Sequence, residues 1–225
     1  METRDATPQE GVIRFDLRFE PVDNPAEMAR PEIAALDGWR GVLRRLRVIG
    51  RDSARYGGFG FGNLSCRCGR DEPPGRRRFV VSGSQTGTRA RLGREGWAVV
   101  DAWDLARHRL EARGPVPPSS ESLTHAALYD ADASLRAVVH AHAPAPWRLH
   151  EPLGLPATPD GIGYGTDEMA AAVQRLVDGG VLAPGGVVAM RGHEDGLLAV
   201  GRTLDEAGLA FVRVLAAALA LEAPS

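Results

Sequence analysis

The stretch Ala137-Val138-Val139-His140-Ala141-His142-Ala143-Pro144 constrains this chain more than any other. Three apolar residues leading into histidines at i and i+2 describe a buried strand, and side chains two apart on a strand leave the same face. Both imidazoles are therefore aimed at one point. A divalent metal takes neutral nitrogen ligands in such a convergence and needs at least one further ligand from elsewhere. His193, within Met190-Arg191-Gly192-His193-Glu194-Asp195-Gly196, is available for that part. The competing reading is a pair of partly exposed strand histidines, because a His-x-His motif alone is weak.

Composition narrows the chemistry. A chain of 225 residues, 44% of them hydrophobic, suits one domain with a single sizeable core. A net charge of -2 gives no electrostatic reason to expect nucleic acid or an anionic membrane as partner. No apolar run approaches membrane-spanning length, and Met1 to Glu10 is polar and acidic without a signal-peptide core, so a cytoplasmic protein is expected. All 27 basic residues are arginine. Without lysine, Schiff-base catalysis, lysine-anchored pyridoxal phosphate and the P-loop are all excluded. Carbanion chemistry in this chain must lean on a metal or another electron sink. Cys66 and Cys68 stand too close for a good disulfide and read as reduced, packed thiols.

Along the chain, Val12 to Phe19 alternates like an edge strand. Ile33, Leu36, Trp39, Val42, Leu43, Leu46 and Ile49 then describe an amphipathic helix ending near Gly50 or Arg51, with arginines on its solvated face. The glycine-dense run Tyr56 to Ser65, and the loop Ser82-Gly83-Ser84-Gln85-Thr86-Gly87 after the strand Arg78 to Val81, could cradle one phosphate between them or could be ordinary turns. Short strands are expected at Trp97 to Val100 and Arg109 to Ala112. Ser119-Ser120-Glu121 opens a helix, where a carboxylate beside free amides can hold an anion and move a proton or can simply complement the helix dipole. Gly165-Thr166-Asp167 caps another helix, Val187 to Met190 and Gly196 to Val200 form a hairpin with His193 at its turn, and Asp205 to Leu221 is a terminal helix.

Taken in order, Gly62-Asn63-Leu64-Ser65, the Ser/Gly/Thr loop, Pro118-Ser119-Ser120-Glu121, His140-x-His142 and the hairpin carrying His193 resemble the class II aldolase/adducin family. The resemblance runs from about Leu36 to Leu221. It implies an α/β fold, a single domain with a central, mostly antiparallel sheet flanked by helices, spanning residues 31–225 after an N-terminal extension at 1–30. It also implies a divalent metal, most commonly zinc, on His140, His142 and His193, and an acid/base role for Glu121. Asn63, Ser119 and Ser120 match the family's phosphate-binding residues, as do Ser84, Thr86 and Gly87 in a loop that is longer here than the usual Thr-Pro-Ser/Thr-Gly form. The segment His193-Glu194-Asp195-Gly196 departs from the family's His-His-Gly or Asn-His-Gly, leaving a phosphate-free substrate or a changed pocket open.

What the resemblance implies for function is a metal-dependent aldehyde-lyase, cleaving a small ketose or ketose phosphate by retro-aldol reaction through an enediolate. The alternatives are an epimerase or dehydratase of a sugar phosphate on the same metal site, and a non-catalytic adducin-like assembly protein. A pure scaffold has no need of three histidines and a glutamate in a polar pocket. A homo-oligomer, a tetramer by family resemblance, is expected, with the alanine- and leucine-rich terminal helix available to pack against another subunit.

Overall fold

The computed structural model describes residues 11–69 and 72–223, so the polar stretch from Met1 to Glu10 lies outside the described residues. Ten strands are found among them: β1 (Asp16–Pro21), β2 (Gly50–Arg51), β3 (Gly60–Phe61), β4 (Asn63–Arg67), β5 (Phe79–Ser82), β6 (Trp97–Asp104), β7 (Arg109–Gly114), β8 (Ala137–His142), β9 (Val187–Ala189) and β10 (Gly196–Gly201). Eight of them form one sheet in the order β1-β7-β6-β5-β4-β8-β10-β9, while β2 and β3 pair separately. Every neighbouring pair in the large sheet is antiparallel except β1 with β7. The mixed α/β layout with a mostly antiparallel central sheet is the one expected.

Helices cover both faces. The first face of the sheet, with Phe79, Val81, Val100, Val138, Leu198 and Val200, packs against α2 (Ser122–Ala131) and α4 (Asp167–Asp178). The second, with Leu64, Val80, Val99, Val139, Ala141, Leu197 and Ala199, packs against α1 (Pro31–Arg45) and α5 (Leu204–Glu222), and α3 (Pro144–Arg148) lies beside α5. Each fully buried aliphatic side chain contributes roughly 1.5–3 kcal/mol, so this double layer carries the fold. Threonines cap α4, as the sequence announces, and α5. Thr166 Oγ1 accepts from Met169 N at 3.2 Å, and Thr203 Oγ1 accepts from Glu206 N at 3.0 Å.

Two expectations about the first helix are corrected. The first helix stops at Arg45, well short of Gly50: Leu46 is its C-cap, Arg47 takes a left-handed φ of 59°, and Val48 N returns to Leu43 O at 3.1 Å. Val48 and Ile49 are buried all the same, as chain running under the sheet, so their apolar character mimicked another helical turn. The helix's inner stripe is Ile33, Leu36, Arg40 and Leu43, while Val42 and Leu46 are exposed. One arginine assigned to the solvated face is therefore inside. The segment 1–30, set apart as an extension, also supplies β1 to the sheet edge, and its Met28 is buried in the second core. Both thiols, Cys66 and Cys68, are unbridged.

Candidate active site

Strand parity places the histidines. Val138, His140 and His142 share the α2/α4 face of β8, and Val138 is part of that core while its neighbours in the pattern are imidazoles. Register then sets their surroundings: Asn63 lies opposite His140, and Gly196 lies opposite His142. The turn after β9 is closed by His193 N to Met190 O at 3.0 Å and Gly196 N to His193 O at 2.9 Å, which folds His193 back over the start of β10. Gly196 leaves room for the ring, since a Cβ on it would stand 3.1 Å from both Cγ and Nδ1 of His193 and the imidazole would have to give by a few tenths of an ångström.

His140, His142 and His193 are all buried, and each offers a ligand atom within 4.8 Å of the other two. His140 Nδ1–H donates to Leu197 O at 3.0 Å, which leaves its Nε2 lone pair facing the group. The Nε2 atoms of His140 and His142 are 3.1 Å apart. Two ligands on a tetrahedral ion at about 2.1 Å each would be separated by roughly 3.4 Å, so this spacing fits a shared cation. Both imidazoles are held well below their ordinary pKa, by burial first and by neighbouring imidazoles, His193 foremost, second. They are neutral, which is the form a metal takes. The residues present fit the expected divalent ion.

Glu121 sits at the N-cap position of α2 and its side chain makes no capping bond. The carboxylate is 1% exposed, and its Oε1 lies 3.6 Å from His193 Nδ1. The other carboxylates near His193 are employed elsewhere. Asp195 accepts from Tyr56 Oη at 2.7 Å and faces Arg55 at 3.8 Å, and Glu194 is exposed. Tyr56 and Phe61 in turn pack against the His142 ring at 4.6 and 5.5 Å, and burial followed by Asp195 raises the Tyr56 phenol. Tyr164 stacks on His193 with centroids 4.8 Å apart, and Arg14 lies 4.6 Å over Tyr164. The sequence singles out none of Tyr56, Phe61 or Tyr164, because an aromatic beside a glycine carries no local mark of the ring it will cover.

Every residue expected to bind phosphate lines one recess that ends at Glu121: Asn63, Ser84, Thr86, Gly87, Ser119 and Ser120. The glycines explain how the two loops meet. A Cβ at Gly87 would lie 2.4 Å from Gly50 O and 2.8 Å from Gly60 Cα, so the loops are packed backbone to backbone. In the second loop the hydroxyls already serve the backbone, Thr86 Oγ1–H donating to Gly83 O at 2.9 Å and Ser84 Oγ–H to Gly11 O at 3.4 Å. Ser119 Oγ accepts from Glu121 N at 3.3 Å, which keeps its own proton for a ligand. Behind the recess, Ser65 Oγ bridges His125 Nδ1 and Tyr129 Oη at 2.7 Å each, and burial lowers the His125 pKa to about 3.

Three converging buried imidazoles that could hold a divalent ion, a buried carboxylate beside them and a polar recess thus meet on one α/β sheet. The family profile described as Class II Aldolase and Adducin N-terminal domain matches residues 49–220, and the chain belongs to that family. No curated protein sequence matches it. Among solved structures it is similar to L-fuculose-1-phosphate aldolase from Thermus thermophilus, at 22% identity over 88% of this chain and 94% of that one, with a TM-score of 0.60. A sugar-phosphate aldolase from Thermotoga maritima gives 0.62 at 16% identity, over 86% and 97% of the two chains. YgbL from Escherichia coli, whose assignment is left among aldolase, epimerase and decarboxylase, gives 0.61 at 16% identity, over 88% and 90%. At these identities the likeness establishes the fold. Among the described residues, no helix is long and apolar enough to cross a membrane.

Proposed function

We propose that this chain is a metal-dependent aldehyde-lyase that cleaves a small ketose phosphate by a retro-aldol reaction. The observation that carries the reading is the placement of Glu121, a buried carboxylate 3.6 Å from a histidine of the triad and at the end of the hydroxyl-lined recess. His140, His142 and His193 would hold a divalent ion, zinc by family analogy, and when bound it would supply positive charge to offset that developing on the two oxygens of an enediolate. Glu121 performs the proton transfers. Its carboxylate takes the proton of the hydroxyl two carbons from the carbonyl carbon. That oxygen's electrons form the aldehyde carbonyl as the carbon-carbon bond breaks, and the bond's electrons enter the enediolate. The same carboxyl then returns its proton to the enediolate carbon, so one residue balances the cycle. Asn63, Ser119 and Ser120 hold the phosphate away from the reacting carbons, and the second loop of Ser84, Thr86 and Gly87, whose hydroxyls serve the backbone, walls the site. The segment 1–30 precedes the family-like domain at 31–225 and is joined to it through β1 and Met28, and the assembly is a homotetramer in the cytoplasm.

The test is Glu121→Gln, assayed against a panel of ketose phosphates for aldehyde release. Glutamine keeps the shape and removes the titrating oxygen, so kcat falls by roughly a hundred- to ten-thousand-fold while metal content holds. Turnover near the wild-type rate refutes the role of Glu121. Substrate consumed with inverted stereochemistry or loss of water, and no aldehyde formed, assigns the site to epimerisation or dehydration instead.

A further inference from the structure

Arg40 is the one cation lining the recess among the described residues, and the only other ionisable side chain there is Glu121. It is 3% exposed and reaches the recess from the inner stripe of α1, N-terminal to the region that the family profile matches. Its guanidinium is well satisfied as a donor: NH1 donates to Arg89 O at 2.8 Å and to Ala90 O at 3.4 Å, and NH2 donates to Thr86 O at 3.0 Å. All three acceptors are neutral carbonyls. Asp37, whose field reaches Arg40, accepts instead from Leu92 N at 3.1 Å and Gly93 N at 2.9 Å. No carboxylate forms an ion pair with Arg40 among the described residues, so hydrogen bonding is supplied and a contacting counter-charge is not. A buried charge without a counter-ion is costly, and proteins keep one where a ligand will complete the pair. Burial lowers its pKa only to about 10, so it stays protonated at neutral pH.

We infer that Arg40 is the specificity-determining residue that makes this recess select a substrate ending in a phosphate monoester. The inference rests on the reading of the recess as the substrate site and deepens it by naming the charge that the hydroxyls lack. Asn63, Ser119 and Ser120 offer donors to three oxygens of a tetrahedral anion, while Arg40 supplies the field behind them. The recess is therefore polarised, positive toward α1 and negative at Glu121, and a substrate enters in one sense only: phosphate toward Arg40, reacting carbons toward Glu121 and the histidines. Because the carbonyls it binds belong to residues 86–90, Arg40 also fixes the second loop, and the test has to separate charge from scaffolding.

The experiment titrates inorganic phosphate into the metal-loaded protein by calorimetry, for the wild type, Arg40→Gln and Arg40→Lys, with circular dichroism as the check on folding. Acetate is the control anion. The wild type is expected to bind phosphate and to prefer it over acetate. Arg40→Gln should weaken phosphate binding at least tenfold and leave acetate nearly unchanged, and Arg40→Lys, which keeps the charge and loses the fork, should recover most of the affinity. A wild type that binds no phosphate removes the phosphate reading of the recess and this inference with it. A folded Arg40→Gln that binds phosphate like the wild type, or a wild type that binds acetate as well as phosphate, overturns the inference about Arg40 alone. Should Arg40→Gln fail to fold, Arg40→Lys decides: retained phosphate binding supports the role of the charge, and a folded variant without it overturns that role.

Discussion

Substituting alanine for Gly192 probes the residue that lets the third histidine reach the site. A Cβ there would lie 2.0 Å from Ile162 O, 2.5 Å from Ile162 C and 2.6 Å from Ile162 N, all backbone atoms that cannot rotate away. A carbon and an oxygen rest at roughly 3.2–3.5 Å, so the turn has to open by more than about 1 Å. Metal-nitrogen bonds are about 2.1 Å long and tolerate only about 0.2 Å of error, so a displacement of that size costs His193 its place as a ligand. Metal affinity is expected to fall on the order of a hundredfold, at least as much as when a ligand's supporting hydrogen bond is lost. Overpacking of this kind also costs about 1–3 kcal/mol, or roughly 2–12 °C in Tm for a chain of this length. Competition with a chromogenic chelator gives the affinity, and a thermal melt of the metal-free protein gives the stability. Gly38→Ala is the control, since nothing lies within 4 Å of a Cβ there and the site is inside α1, so it should be neutral or stabilising by up to about 1 kcal/mol. Wild-type affinity and Tm in Gly192→Ala would refute the contact between the turn and the loop at Ile162.

Acid should destabilise the metal-free protein through His125. Its folded pKa of about 3 lies below the ordinary 6.5, so the unfolded chain binds the extra proton and stability is lost as pH falls below 6.5. From pH 6.5 to 4.5 the loss from this residue is roughly 2–3 kcal/mol, and urea melts of His125→Gln should show a slope shallower by about 1.4 kcal/mol per pH unit; an unchanged slope contradicts its burial as a neutral ring. Tyr56→Phe removes the hydroxyl shared by Asp195 and Arg55 and should lower Tm by several degrees and speed metal release, since it unties the loop at 56–61 from the turn carrying His193. Release measured at the wild-type rate would show that this tie does not hold the site.

What was legible in the sequence follows from the range of each signal. The histidines of β8 could be placed because strand parity is local, and the turn at His193 could be placed because two buried strands flank it. Mostly antiparallel pairing was legible through the family resemblance, whereas the parallel pairing of β1 with β7 joins residues about ninety apart and leaves no local mark. Arg40 was in principle readable. It stands four residues after Leu36 and three before Leu43, squarely in the inner stripe, but Trp39 and Val42 offered apolar residues nearby on either side and drew the stripe toward them. Tyr164 gives no such hint, since its stacking on His193 depends on how the loop from 158 to 166 lies against the turn at Gly192. The two glycine-rich loops were visible as loops, and their backbone-to-backbone packing through Gly50, Gly60 and Gly87 emerged only once the sheet had set them side by side.

The central claim is that three histidines, two from one strand and one from a turn, hold one divalent ion. Protein purified without chelator, wild type beside His140→Ala, His142→Ala and His193→Ala, would be measured for metal by inductively coupled plasma mass spectrometry with circular dichroism on the same samples. About one ion per chain is predicted for the wild type, and a small fraction of that for each variant, with the fold retained because the three imidazoles are not among the apolar side chains of either hydrophobic core. Full occupancy in all three folded variants would contradict the claim.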